Sequence, residues 1–167
     1  NIYGGNNKVS GIVEIKSGTP KEPPLYTFED SIYFQLAPST WTEAQALAED
    51  LRGNLVSINS QEEQDFIVSK FLSEDDGQIG KWIGLTDKDQ EGNWTWTDGS
   101  DFDFTSWSSR EPNDDKPDGD FAADYVLASQ ASTPWNTSHI GSWNDHTNDV
   151  NIYGGNNKVS GIVEIKS

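Results

Sequence analysis

The chain has no cysteine and no methionine. It can therefore form no disulfide and offers no cysteine nucleophile, and oxygen is left as its main metal-ligating atom. The absence does not itself report a redox compartment, though it is compatible with an exposed life outside a bacterial cell. Basic residues are scarce: 11 lysines and arginines stand against 28 acidic residues, for a net charge of −17. Such a surface repels nucleic acid and anionic membranes, which excludes both as expected partners. No apolar run approaches the roughly 20 residues of a membrane span, so no membrane insertion is expected. No signal peptide is visible, and the chain reads as a mature segment or an excised module. It also lacks a Gly-x-Ser-x-Gly elbow and a phosphate-binding glycine loop, so an enzyme is not expected. A repeated threonine pattern that would suggest an ice-binding surface is missing as well. Hydrophobic content is only 33%, but seven tryptophans, seven phenylalanines and five tyrosines compensate by burying large areas. At 167 residues the chain is long enough for one domain with a core.

What is present concentrates between Trp107 and Asp145. The stretch opens with Glu111-Pro112-Asn113-Asp114 and closes with Trp143-Asn144-Asp145, and Asp115, Asp118, Asp120 and Asp124 lie between. Hard cations such as Ca²⁺ take six to eight oxygen ligands from carboxylates, amides and backbone carbonyls. An X-Pro bond tolerates the cis form, and a cis Pro112 would turn the Glu111 and Asn113 side chains to one side. Asn144 and Asp145, on a strand marked by Trp143, would supply the other. The expectation is a Ca²⁺ site built from two separate pieces of chain. Against it stands the plainer reading of an acidic, Pro- and Gly-containing loop as solvated surface.

Residues 1–17, NIYGGNNKVSGIVEIKS, recur unchanged as residues 151–167. Either a tandem array of near-identical modules or a duplication of one end onto the other explains this. Each copy has a turn followed by a strand pattern, and two identical strands cannot share one slot. The 151–167 copy is expected in the native slot, leaving the 1–17 copy to pair elsewhere or to exchange with a neighbouring molecule. Residues 18–24 form a Pro-rich linker, and residues 25–167 form the domain.

Within it, Tyr26–Phe28 and Ser31–Leu36 alternate as a strand or hairpin. Ser39 or Thr40 caps a helix running to about Arg52, with Trp41, Ala44, Leu47, Ala48 and Leu51 on one face. Leu55–Ile58 is a brief buried strand. Ser60 and Glu63 form a capping box for a second helix to about Leu72, with Phe66, Ile67, Lys70 and Phe71 near its buried side. Short strands follow at Lys81–Leu85, Trp94–Trp96 and Tyr125–Ala128. The rest, up to Trp143, has loop composition, a length that suits a functional loop held by metal.

Two successive helices, Trp82-Ile83-Gly84-Leu85, Glu111-Pro112-Asn113 and Trp143-Asn144-Asp145, in that order, resemble the C-type lectin-like domain across residues 30–165. The resemblance implies an α+β, double-looped fold: paired terminal strands, two helices flanking a small antiparallel sheet, and a long Ca²⁺-binding loop. It places the sugar-binding Ca²⁺ site on Glu111, Asn113, Asn144 and Asp145. A further acidic ligand of the family falls on Ala123, which cannot ligate, so Asp118 or Asp120 would have to reach in. An auxiliary Ca²⁺ site falls on Asp87, Glu91, Asp114 and Asp124. The family's two disulfides fall on Ala48 with Val163 and Tyr125 with Asn148. Their loss commonly costs about 2–5 kcal/mol, which packing and metal would have to offset; it also points toward a bacterial source.

By this resemblance Ca²⁺ is the cofactor. The order Glu-Pro-Asn goes with mannose- or fucose-type sugars on cell-surface glycans, as expected of an extracellular adhesin module on a bacterial surface. Carboxylates accept from sugar hydroxyls, while amides also donate to them. Trp82, Trp94, Trp96 and Trp143 read as core; Trp107 and Trp135 are candidates to stack on a sugar face. His139 and His146 read as surface loop residues. The competing reading is a protein-binding module of the same fold with structural calcium only.

Overall fold

The structure is a computed structural model that describes residues 22–114, 122–130, 139–149 and 158–167. Its strands are β1 (Tyr26–Phe28), β2 (Ser31–Pro38), β3 (Asn54–Leu55), β4 (Gly80–Thr86), β5 (Thr95–Trp96), β6 (Tyr125–Ser129), β7 (Trp143–His146) and β8 (Val159–Lys166). Its helices are α1 (Trp41–Asp50) and α2 (Gln61–Ile67), the latter continuing as a π-helical turn over Val68–Leu72. The strands run β1-β2-β8-β4-β6-β7 across the sheet, with β3 added to β8 and β5 to β4. The sheet is mixed rather than wholly antiparallel, because β4 and β8 run parallel. The slot between β2 and β4 is filled by the second copy of the duplicated segment. The first copy, residues 1–17, lies outside the described residues.

Strand alternation sends side chains to two cores. Trp82 of β4, Leu127 of β6 and Val159 of β8 pack with Trp41 and Ala44 of α1. Ile83, Leu85, Val126, Ala128, Trp143 and Ile162 pack on the α2 side with Ile67, Phe71 and Leu72. Buried indole N–H groups need acceptors. Trp41 donates to the Ile83 carbonyl at 2.8 Å, and Trp82 to the Ser39 carbonyl at 3.0 Å.

Thr40, not Ser39, caps α1, in a full capping box with Glu43. The α1 stripe needs correction. Leu47 and Leu51 are 45% and 43% exposed, while Gln45 is buried with Trp41, Ala44 and Ala48. At about 100° per residue, position 47 lies roughly 120° round the axis from Trp41, off the narrow face that meets the sheet. Gln45 is tolerated there because its side chain is satisfied: Oε1 accepts from the Leu55 N–H at 2.9 Å, and Nε2 donates to Asn54 Oδ1 at 3.0 Å. On α2, Ser60 accepts from the Glu63 N–H, but the Glu63 carboxylate reaches the Asn59 N–H and the Tyr33 hydroxyl instead of closing the box.

Where the resemblance sets disulfides, the chain uses non-covalent contacts. Ala48 and Val163 are both fully buried. The Tyr125 ring lies 4.7 Å from that of Trp41, and the Asn148 carbonyl accepts from the Trp41 N–H at 3.2 Å. Asn148 also bonds the Thr42 N–H and hydroxyl.

Candidate metal and sugar site

The two acidic pieces of chain meet beside β7. Trp143 anchors that strand in the core. Its indole donates to Gln64 Oε1 at 3.1 Å, and its backbone bonds Ser106 and Ser108. This backbone pairing brings the 106–114 segment alongside Asn144 and Asp145. The Glu111–Pro112 peptide is cis. The Glu111 and Asn113 side chains lie together, Asn113 Nδ2 donating to Glu111 Oε1 at 2.8 Å. Asp145, only 8% exposed, receives the Asn113 N–H on Oδ1 at 3.1 Å and the Asp114 N–H on Oδ2 at 2.7 Å. One carboxylate on β7 thus fixes the backbone that carries Glu111 and Asn113.

Asn144 is held from behind by two residues that sequence reading passed over. Its Oδ1 accepts from the Ser108 hydroxyl at 2.7 Å and the Ser129 hydroxyl at 3.1 Å. Hydroxyls accept as readily as they donate. Rotating the amide by 180° therefore lets one of these serines receive an Nδ2–H, turns Oδ1 toward where a hard cation would use it, and leaves the second N–H to donate elsewhere. Serine is too common a residue for its presence at positions 108 and 129 to have signalled this.

The second group centres on Asp87 at the end of β4, 3% exposed. Its Oδ2 accepts from the Gly92 N–H at 2.8 Å, whereas its Oδ1 is buried with no hydrogen-bond partner. Burial pushes its carboxyl up to about 6, and the nearby charges of Glu91 and Asp124 add to the rise. Asp124 is tied to the same strand end, its carbonyl accepting from Thr86 Oγ1 and the Asp87 N–H. Asp114 Oδ1 accepts from the Ala123 N–H at 3.4 Å, so Asp114 borders this group too. A buried carboxylate oxygen without a donor, in a field of like charge, is chemistry that suits a cation. Among the described residues, however, no three carboxylate or histidine side chains converge closely enough to enclose an ion alone. The first group offers two carboxylates with two amides, and Glu91 of the second is exposed.

Ala123 is buried, so the ligand position it occupies contributes no side-chain oxygen. Asp118, Asp120 and Trp135 lie outside the described residues. Trp107 is half-buried, its ring 5.0 Å from Trp94 and 5.8 Å from Trp143, edge-on in both cases. It packs into the aromatic cluster behind β7. His139 is an exposed loop residue, as expected. His146 is not: it belongs to β7, its ring centre lies 6.5 Å from that of Trp82 in an edge-to-face arrangement, and its imidazolium is disfavoured by burial. The alternation that turns Asp145 inward turns His146 to the other face.

An α+β sheet with an oxygen-donor loop at its β7 edge is the architecture of a C-type lectin-like domain. The lectin C-type domain model matches residues 37–153, and the chain belongs to that family. It is 36% identical over 121 residues to the low affinity immunoglobulin epsilon Fc receptor of Mus musculus, which covers 72% of this chain and 34% of that one. It is 40% identical over 83 residues to the hepatic lectin of Gallus gallus, covering 48% of this chain and 38% of that one. The chain thus spans little more than a third of the length of either. Among solved structures it resembles the cow CD23 carbohydrate-recognition domain, determined in the presence of a GlcNAc2Man3 oligosaccharide. The TM-score is 0.66 at 28% identity, covering 86% of this chain and 93% of that one. These relatives are lectins and receptors rather than enzymes, and they are animal proteins.

Proposed function

We propose that the chain is a calcium-dependent carbohydrate-binding module for mannose- or fucose-type sugars. The observation that carries the reading is the meeting of Glu111, Asn113 and Asp145 across two segments, with Asn144 held alongside. Glu111, Asn113, Asn144 and Asp145 would hold one Ca²⁺. Asp87, Glu91, Asp114 and Asp124 would hold another, and Asp120 or Asp118 would complete the first. When bound, the ion supplies open coordination positions for two vicinal sugar hydroxyls. Glu111 and Asp145 accept hydrogen bonds from those hydroxyls, and Asn113 and Asn144 donate to them; the order of acceptors and donors selects the orientation of the diol. Cell-surface glycans are the proposed partners. Avidity would come from repeated copies, since tethered sites raise effective concentration. The missing disulfides support placing the module on a bacterial surface as part of an adhesin, whereas the relatives matched are of animal origin.

A glycan array probed with and without chelator tests this. Calcium-dependent signal on mannosides or fucosides is the expected result. Signal only on galactosides, or signal unchanged by chelator, would overturn the sugar or the metal assignment respectively. The second reading, a protein-binding module with structural calcium, draws on the likeness to a receptor named for an immunoglobulin Fc. Millimolar free mannose should displace a glycan partner and leave a protein partner in place.

A further inference from the structure

One sequence occurs twice in this chain, and among the described residues the fold shows one place for it. Residues 159–166 form β8, which pairs with β2, β3 and β4. The slot is closely fitted. A Cβ added to Gly161 would lie 2.6 Å from Leu55 Cδ2 and 3.0 Å from Ala44 Cβ. Ile162 and Val163 are fully buried, Glu164 accepts from the Ser31 hydroxyl at 2.9 Å, and Lys166 bonds Asp98 at 2.6 Å. Each of these groups recurs in the first copy as Gly11, Ile12, Val13, Glu14 and Lys16. The slot therefore cannot tell the copies apart by contact; only the connecting chain distinguishes them.

The connection is long enough for either. The far end of β8 lies at the β1–β2 turn, where the Ser167 N–H donates to the Asp30 carbonyl at 3.3 Å. If Ser17 stood there, the chain would have to reach Tyr26, which sits across β2 opposite Tyr33. That gap is two strand spacings across and about three residues along, roughly 15 Å. Gly18–Leu25 supplies eight residues, which extend to about 27 Å.

We propose that the β8 slot has two interchangeable occupants within one chain, residues 159–166 and residues 9–16. When residues 9–16 fill it, the strand 159–166 leaves the sheet and β7 loses its covalent continuation into the central strand. A short tether holds the competing copy at an effective concentration in the millimolar range, well above that of a second molecule in dilute solution. This exchange is independent of whether the module binds sugar.

The test is Val163→Asp in the 167-residue chain. With a single occupant, a carboxylate at this fully buried position abolishes the cooperative melting transition seen by circular dichroism. With two occupants, the variant keeps that transition because Val13 takes the position, and V13D/V163D loses it. A V163D chain that fails to fold overturns the proposal. Phe34 pairs with Val163 across β2 and β8, so F34C/V13C in the V163D background reads the occupant directly. The chain has no other cysteine. A disulfide within the monomer is expected; a disulfide-linked dimer would assign the slot to a second copy and overturn exchange within one chain.

Discussion

Ser108 and Glu63 show how much of this molecule depends on hydrogen-bond direction. Ser108 sets the plane of the Asn144 amide from 36 residues away in sequence and also bonds the Ser142 hydroxyl at 2.9 Å. Residues that orient a ligand typically affect metal affinity 10- to 100-fold. Ser108→Ala should therefore weaken Ca²⁺ binding by about tenfold in calorimetric titration while leaving the fold intact. An unchanged dissociation constant would show that Asn144 needs no such support. Glu63 poses a different problem. The Tyr33 oxygen lies 2.9 Å from Glu63 Oε1 and 3.2 Å from Glu164 Oε1. One hydroxyl donates only once, so both contacts are favourable when one carboxyl keeps its proton. Burial raises the Glu63 carboxyl above its ordinary value of 4.5, the Glu164 charge adds to the rise, and the Asn59 and Tyr33 hydrogen bonds oppose it. Because the folded state holds this proton more tightly, the group's contribution is full below the unfolded pKa and is lost as pH rises through the folded one. Glu63→Gln, neutral throughout, should leave the melting temperature unchanged near pH 4 and raise it near pH 7. A variant destabilised at neutral pH would contradict this. The motifs around Glu111 and Asn144 were legible because their letters and spacing are distinctive. The serines and the buried Glu63 carboxyl were not, because their partners come together only in the fold.

At the scale of elements, most strands and both helices could be read from periodicity and caps, and the misreadings have local causes. Leu47 looked buried because leucine on an amphipathic helix usually is; the short α1 buries a satisfied glutamine instead. His146 looked like loop because the strand it ends is only four residues long. Lys81 was read simply as the start of a strand, yet its side chain is fully buried. Its ammonium donates to Asp76 Oδ2 at 2.6 Å and Gln130 Oε1 at 2.9 Å, pinning the 73–79 turn against β4 and β6. Gln130 in turn donates to the Glu74 carbonyl. Burial favours the neutral amine, and the Asp76 contact opposes that. Removing one partner of such a pair leaves the other charge uncompensated, at a cost of about 3 kcal/mol when that charge is buried. Asp76 is 38% exposed and water can take it over. The two substitutions should therefore differ. Asp76→Asn strands the buried ammonium and should cost about 3 kcal/mol in denaturant melts, while Lys81→Met should cost clearly less. Equal losses would mean that the pair acts through packing alone.

Across the whole molecule, the balance of charge ties the site to stability. The 28 acidic and 11 basic residues leave a self-repelling chain, and Asp87, Glu91, Asp124, Asp114, Glu111 and Asp145 gather much of that repulsion at one end of the sheet. No disulfide constrains the unfolded state, so the folded state gains more, in proportion, from a cation that binds only to it. Salt and calcium relieve the repulsion in different ways. Sodium chloride screens exposed charges over a Debye length of about 10 Å at 0.1 M and reaches the buried Asp87 oxygen poorly. A coordinated ion acts on that oxygen directly. Binding at a hundred times the dissociation constant adds about 2.7 kcal/mol per site. Chelator should therefore lower the melting temperature by several degrees, and half-molar sodium chloride should restore only part of the loss. Millimolar Ca²⁺ should restore all of it, and Asp87→Asn should blunt the calcium response more than the salt response. If sodium chloride alone brought back the full melting temperature, general charge repulsion would account for the effect, and the case for calcium as a structural part of the fold would fail even though the lectin architecture stood.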